Sequence, residues 1–507
     1  MLKRNKLEKI DDIRAEIKQE YLNTDLTPWI IGYSGGKDST TVLQLVVEAL
    51  LELERENRAK KMVYVISSDT LVENPLVLRK TTTSMKNLAE FAKDNKLPLK
   101  AEMIYPESDN TFFVKLIGSG YPSPLQSFRW CTDRIKIMPA NKFIYSKVSE
   151  SGEVILLLGT REEESVSRKL SMQKHYIDGS NLSLHSSIPS AWTYSPIAHL
   201  TVNEVWGYLL KNSCPWGDNN NDLYIMYSSS IQDGECPLVI DKETKEKQTC
   251  GNSRFGCWTC TIVAEDKSLK GFIESGETWL TPLLEYRNYL IKIRDDEACR
   301  NIFDRNGNIK KVDVKIKGDS VIIPKKLHRD EVIISLSKAV SEQAAYKQLA
   351  SGDYNLKTDP IIVKNGSEYY RVGLSSFTIE TRVKLLRKLF ETEKLVRNHL
   401  SDYLIITKEE IIAIDNIWKD DGYLDYSAIA IYNEYREDNI LSSVNNIDFE
   451  LLKHLCFEEN FDENTLHAII RETSKNVNIK NRNKNIKSIE SKLATQRLLL
   501  RDNYEDK

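Results

Sequence analysis

The sequence predicts an α/β protein: a parallel sheet with flanking helices, a cysteine-rich metal-bound insertion, and a mainly helical C-terminal region. Three observations predict it. A buried apolar strand passes through a glycine turn into an amphipathic helix at WIIGYSGGKDSTTVLQLVVEALLEL. Short apolar runs then alternate with helical stretches, the rhythm of βαβ units and of parallel pairing. Four of the eight cysteines fall between residues 236 and 260, in polar sequence without periodicity.

The elements follow in order. Leu7, Ile10, Ile13, Ile17 and Tyr21 recur at helical spacing over residues 5–22. After the strand, loop and helix that begin at Trp29, MVYVISS at 62–68 is a second buried strand, SMKNLAEFAKDN at 84–95 a helix and LKAEMIY at 99–105 a third strand. VILLLG at 154–159, flanked by Gly152 and Gly159, is placed as another central strand. The serine-rich run from Ser180 to Ser195 is expected to be an exposed loop, and TVNEVWGYLLKN at 201–212 a helix. An Asn306-Gly307 turn with Val312, Val314 and Ile316 alternating after it predicts a small half-exposed hairpin. Ile379, Val383, Leu386 and Leu389 line a helix face, and Thr407 with Glu410 forms a capping box ahead of IIAIDNIW. The expected division is an α/β domain at 1–222, a cysteine-rich segment at 223–265, a hairpin-containing connector at 266–330 and a helical accessory domain with a basic tail at 331–507.

Composition narrows the function classes. Apolar residues make up 41%, charged residues 29% and aromatics 9% of 507 residues, which excludes a disordered chain. No window approaches the roughly 18 apolar residues of a membrane span, and MLKRNKLEKIDD lacks a signal-peptide core, so a cytoplasmic protein with no membrane partner is expected. With 71 basic against 74 acidic side chains the net charge is −3, so any nucleic-acid contact must come from a local patch. Eight cysteines are too few for a disulfide scaffold, and in a reducing cytosol a clustered subset serves as metal ligands or reactive thiols.

Ser34-Gly35-Gly36-Lys37-Asp38-Ser39 sits where a strand enters a helix, the place where backbone N–H groups and the helix dipole hold phosphate. Ile31 and Asp38 stand where a Walker A loop has glycine and Ser or Thr, which excludes that loop. SGGKDS resembles the pyrophosphate loop of the ATP pyrophosphatase (N-type) superfamily, whose members split ATP between the α and β phosphates. The resemblance continues, in the manner of phosphoadenosine phosphosulfate (PAPS) reductase-like proteins, through Asp69-Thr70, Cys131 to Pro139, Gly159 to Arg168 and Pro196 to Trp206, about the first 265 residues. It implies an adenine nucleotide α-hydrolase-like fold, with adenine held by the strand before Asp69 and phosphate by Gly159, Arg161, Ser165 and Arg168. Arg161 and Arg168 follow a strand's carboxyl end, and guanidinium forks suit phosphate oxygens. Glu162, Glu163 and Glu164 are alternative partners for both arginines. Asp38 and Asp69 are candidate Mg²⁺ ligands over ATP, and equally candidate cap or turn aspartates.

Cys236, Cys250, Cys257 and Cys260 have spacings that suit a structural zinc or a [4Fe-4S] cluster and do not separate the two. Cys131 lies among Arg129, Arg134 and Lys136, a positive cluster expected to lower its pKa. The segment is similar to the Cys-x-x-[Arg/Lys]-x-Lys-x-x-Pro stretch of the reductase family, with Trp130 where cluster-bearing members have a first cysteine. That leaves Cys131 as a cluster ligand in place of Cys236 or as a free sulfur-handling thiol. Cys214, Cys299 and Cys456 are expected to be structural.

Glu235-Cys236-Pro237-Leu238 lacks the glycine and histidine of the catalytic segment of PAPS reductases. GTREEESVSR, a cysteine stretch ending in CWTC and a long helical extension resemble instead the DndC-type sulfurtransferases of bacterial DNA phosphorothioation. That resemblance implies ATP-dependent adenylylation of a backbone phosphate, sulfur delivered from a cysteine desulfurase, and further phosphorothioation subunits. It names Lys37, Asp38, Cys131, Arg134 and Arg161 as the catalytic set. Lys475 to Arg501 holds eight Lys or Arg against Glu490, a candidate DNA-backbone contact or a solvated face. A sulfonucleotide reductase, a tRNA thiolase and a non-catalytic iron–sulfur scaffold are the competing readings.

Overall fold

The computed structural model describes residues 6–23, 26–126, 128–164, 180–185, 187–229, 255–304, 307–324, 331–352, 354–356 and 358–440. Two compact units divide the chain. The first comprises residues 1–112, 124–287 and 398–401, and the second residues 113–123, 288–397 and 402–507.

The first unit holds a six-stranded sheet of β1 (Trp29–Gly32), β2 (Val63–Ser68), β3 (Leu99–Ile104), β4 (Val154–Leu157), β5 (Leu182–Leu184) and β6 (Ala191–Tyr194), in the order β3-β2-β1-β4-β6-β5. All pairings are parallel except that of β5 with β6. Alternate residues of β1 enter different cores. Trp29 and Ile31 pack with Val42, Leu43 and Val46, whereas Ile30 packs with Ile66, Ile144, Val154 and Leu156. Burial on both faces accounts for the continuous apolar runs. The helices α1 (Lys6–Asn23) and α2 (Lys37–Glu52) belong to the Trp29 side.

Two sequence expectations change here. The run expected as an exposed loop at 180–195 contains β5 and β6, and β6 is a parallel partner of β4, with Leu157 opposite Tyr194. Four residues, AWTY, are too few to show a periodicity between serines. The helix expected at 84–95 begins at Pro75, with Asn74 as its N-cap accepting from the Leu76 N–H. Proline at the first turn costs no hydrogen bond, so it starts this helix rather than delaying it.

The sheet order reverses at β1. The chain winds outward through β2 and β3, then returns to add β4 on the other edge. In open α/β sheets the crevice at such a reversal, beyond the carboxyl ends of the strands, is where ligands bind.

In the second unit, the alternating run at 312–316 is split rather than forming one hairpin. Lys310–Asp313 joins a four-stranded sheet and Lys315–Lys317 a three-stranded one. Strands continue to Gly373 within residues expected to be mainly helical. The helix Ile379–Arg397 buries Ile379, Leu386 and Leu389 as expected, and Thr407 with Glu410 forms the capping box of the helix Lys408–Asp420. Among the described residues no helix is long and apolar enough to cross a membrane.

Candidate functional site

The loop after β1 is closed by its own side chains. Ser39 Oγ donates to the Gly36 carbonyl at 3.0 Å, accepts from the Ser34 N–H at 3.2 Å and lies 3.1 Å from Ser34 Oγ. Gly35 has φ +70°, and a Cβ there would meet Thr81 Oγ1 at 2.4 Å, so only glycine serves. Gly36, the N-cap of α2, makes no side-chain hydrogen bond of its own to the first-turn N–H groups.

Three charged residues converge on that turn. Asp38 accepts from Lys37 Nζ at 2.8 Å and from Arg161 Nε at 2.7 Å, one on each carboxylate oxygen. Arg161 is 2% exposed and also donates to Glu163 at 3.2 Å and to the Leu200 carbonyl at 3.2 Å. Arg161 therefore does pair with one of the three glutamates, and with Asp38 as well. Gly159 makes the meeting possible, because a Cβ there would lie 2.8 Å from the Asp38 carbonyl carbon and the Ser39 nitrogen. Lys37 and Asp38 open α2, and Lys37, 8% exposed, is buried. A cation pair around one carboxylate offsets the desolvation of burying it.

Asp69 follows β2 and accepts from the Leu71 N–H at 2.8 Å, the turn role foreseen for it. Burial holds its carboxyl above the usual range, countered by that N–H and reinforced by Glu73. Both Asp38 oxygens are engaged by cations, so a hard cation such as Mg²⁺ fits Asp69 better than Asp38.

The cysteines meet beside the end of β2. Cys257 bridges Glu73 in antiparallel register, its Sγ lies 3.4 Å from Thr70 Oγ1, and the Trp258 N–H donates to the Val72 carbonyl at 2.9 Å. Burial, then Glu73, pushes the Cys257 thiol up to about 12, and Cys260 adds to the rise. Burial followed by Cys260 also raises the Cys131 thiol, so Cys260 adds to the rise of both Cys131 and Cys257. The expectation that neighbouring cations lower the Cys131 pKa is overturned. Arg134 donates to Asn110 at 2.8 Å, and Lys136 pairs with Glu73 at 3.4 Å and lies against Cys257. Trp130, standing where related segments have a cysteine, is buried and stacks on Phe112 with centroids 5.3 Å apart.

Hydrogen bonds and packing order the turn after Cys257. Arg287, 1% exposed, donates to the carbonyls of Cys260 and Ala264, each at 2.9 Å, and to that of Val263. Trp258 is buried edge-on to Tyr286, and Thr261 Oγ1 donates to the Pro124 carbonyl at 2.8 Å. Among the described residues no group of three or more His, Cys, Asp or Glu side chains forms a metal site. Thiols of this kind have the donor chemistry that a soft metal or a cluster takes. Cys236, Cys250, Ser165, Arg168, Cys456 and the Lys475–Arg501 tail lie outside the described residues. Cys214 is buried and Cys299 half-buried.

Geometry and sequence then meet in one comparison. Residues 28–262 match the phosphoadenosine phosphosulfate reductase domain. The matched residues include the loop, Asp69, Cys131, Arg161 and the CWTC turn. An uncharacterized protein of Methanocaldococcus jannaschii is 25% identical over 262 residues, which is 51% of this chain and 42% of that protein. The chain thus spans less than half the length of that relative. Among solved structures, the PAPS reductase of Candida auris in its phosphate complex aligns at 16% identity and TM-score 0.26, over 43% of this chain and 90% of that one. The U34-tRNA thiolase of Methanococcus maripaludis with its [4Fe-4S] cluster aligns at 12% identity and TM-score 0.27, over 57% and 80%.

Sequence reasoning missed Tyr227, Glu73 and Thr70. Tyr227 stands one helical turn after the buried Leu223, and an aromatic on the last turn before a cysteine stretch was the available signal.

Proposed function

We propose that this protein is an ATP-dependent sulfurtransferase of the DndC type, acting on the DNA backbone. One observation carries the reading. Adjacent parallel strands β1 and β2 end respectively in the phosphate-type loop with Lys37, Asp38 and Arg161, and in the Asp69–Glu73 turn that packs on Cys257. A nucleotide site and a thiol cluster at neighbouring strand ends suit a reaction in which ATP activates an oxygen that sulfur then replaces.

In that reaction, the N–H groups of α2, Lys37 and Arg161 hold the triphosphate. A non-bridging oxygen of a DNA phosphodiester attacks the α phosphorus, the bond from α phosphorus to bridging oxygen breaks, and pyrophosphate leaves with its charge held by Lys37. A cysteine desulfurase, with the other phosphorothioation subunits, delivers persulfide sulfur; a thiol reductant releases it as hydrosulfide and is itself left in a disulfide, and the hydrosulfide then attacks the DNA phosphorus. AMP departs with the displaced oxygen. Cys131, Cys257 and Cys260, with Cys236 or Cys250, would hold a [4Fe-4S] cluster, or zinc in its place. When bound, the cluster supplies a place to bind and present sulfide. In this reading Arg134 would bind the reacting backbone phosphate, and Asp69 would hold Mg²⁺.

The test is product analysis with the full chain. AMP and pyrophosphate should form, with DNA stimulating their release, and nuclease digests of DNA incubated with ATP and a desulfurase should contain phosphorothioate dinucleotides. ADP and phosphate as products would sink the bond cleavage proposed. Stimulation by tRNA alone would favour the thiolase reading, and sulfite release from a sulfonucleotide the reductase reading. Removal of residues after Ser474 should weaken DNA binding and flatten its salt dependence, while ATP cleavage without DNA persists.

A further inference from the structure

The helix Asn220–Ser229 brings Tyr227 to the nucleotide loop from a distant part of the sequence. The side chain is buried. Its hydroxyl accepts from the Lys37 backbone N–H at 3.4 Å, and a carbon built at Gly36 would lie 3.1 Å from it. The Lys37 ammonium sits 5.5 Å above the ring centroid. The hydroxyl thus stands at the N-terminus of α2, where the first-turn N–H groups and the helix dipole receive an anion and where the N-cap Gly36 has no side chain to offer. The same ring also leads toward the Cys257 segment. It meets Phe255 edge-on with centroids 4.6 Å apart, and Phe255 stacks on Phe272 at 6.0 Å. Phe255 precedes Cys257 by two residues.

We propose that Tyr227 is a phosphate ligand of the nucleotide loop and couples occupancy of that loop to the Cys257–Cys260 turn. This rests on the nucleotide reading above and adds to it a named contact and a direction of influence. A phosphate oxygen reaching the α2 N-terminus takes the Lys37 N–H that the hydroxyl now accepts, and the hydroxyl becomes a donor to the same oxygen. The ring then settles differently against Phe255, and the backbone leading into Cys257 follows. Coupling of this kind is reciprocal, so a metal on the cysteines changes nucleotide affinity by the same factor by which nucleotide changes metal affinity.

The experiment uses the full chain and α,β-methylene-ATP, with affinity read by calorimetry and backbone hydrogen exchange followed over residues 255–262. In the wild type, saturating analogue should slow exchange there by about threefold, the scale of a weak allosteric coupling. Tyr227→Phe keeps the ring contacts and removes the hydroxyl. It should weaken binding about tenfold, the worth of one hydrogen bond to a charged group, and abolish the slowing at saturation. Phe255→Leu should leave affinity within about twofold and still lose the slowing, because it breaks the path and not the ligand contact. Wild-type affinity and wild-type slowing in Tyr227→Phe would overturn the proposal. Failure of the wild type to bind the analogue would overturn it together with the nucleotide reading, an outcome distinct from failure of Tyr227 alone.

Discussion

The nucleotide loop and the cysteine turn sit at the ends of neighbouring strands, yet they are stabilised by opposite means. The loop buries charge and satisfies it internally: Asp38 lies between Lys37 and Arg161, and Glu163 supports Arg161 from the far side. The cysteine turn keeps the Cys257 thiol neutral by burial and takes its order from Arg287 and Trp258. The difference teaches which site is rigid before any ligand arrives. A paired charge network holds its geometry alone, whereas neutral thiols must lose protons before they bind metal.

Asp38→Ala is the strongest way to break this comparison. It leaves Lys37 and Arg161 buried without their shared carboxylate, and breaking a buried pair costs about 3 kcal/mol. AMP formation should also fall by about 100-fold or more, as when a preorganised electrostatic group is lost. Urea unfolding with the activity assay checks both, and full stability with lost activity would mean the loop does not depend on its own charges. Gly159→Ala comes next. Its methyl would press on backbone that cannot move aside, for about 1–3 kcal/mol and a raised KM for ATP, with the thiol chemistry unchanged.

The thiols provide the opposite test. Burial pushes the Cys257 thiol up to about 12 from its ordinary 9.0, so the stability from its neutral form is present below pH 9 and lost as pH rises from 9 to 12. Metal uptake must expel that proton. Apparent zinc affinity measured by competition should therefore rise about tenfold or more from pH 7 to pH 8. A flat profile would mean the thiols are already ionised, like the paired charges of the loop. The smallest effect is expected at Thr201→Ala, which opens the capping box of the helix Val202–Lys211, whose first N–H is held by Glu163. About 1 kcal/mol of stability should go, with ATP cleavage nearly unchanged.

The loop was legible in the sequence because six contiguous residues specify it, and the strand and helix on either side agree with them. The thiol cluster was legible only as composition. Its members come from residues 131, 257 and 260, and which cation faces which thiol is decided by Asn110 and Glu73, whose proximity no spacing reveals. That is why the sign of the Cys131 shift was misjudged from Arg129, Arg134 and Lys136. β6 escaped notice for a different reason: its burial comes from pairing with β4, and AWTY has no pattern of its own.

The reversal in strand order also sets a schedule for synthesis. β1, β2 and β3 are complete once residue 104 has emerged, and they pair with near neighbours in the sequence. β4 arrives some fifty residues later and brings Gly159 and Arg161 with it. A nascent chain therefore gains a sheet before it gains a nucleotide site, and Asp38 has only Lys37 beside it in the interval. Long-range pairings form slowly, so the last partner to dock sets when the charged cluster around Asp38 is complete. In refolding experiments far-UV circular dichroism should recover ahead of nucleotide binding, and simultaneous recovery would refute the schedule.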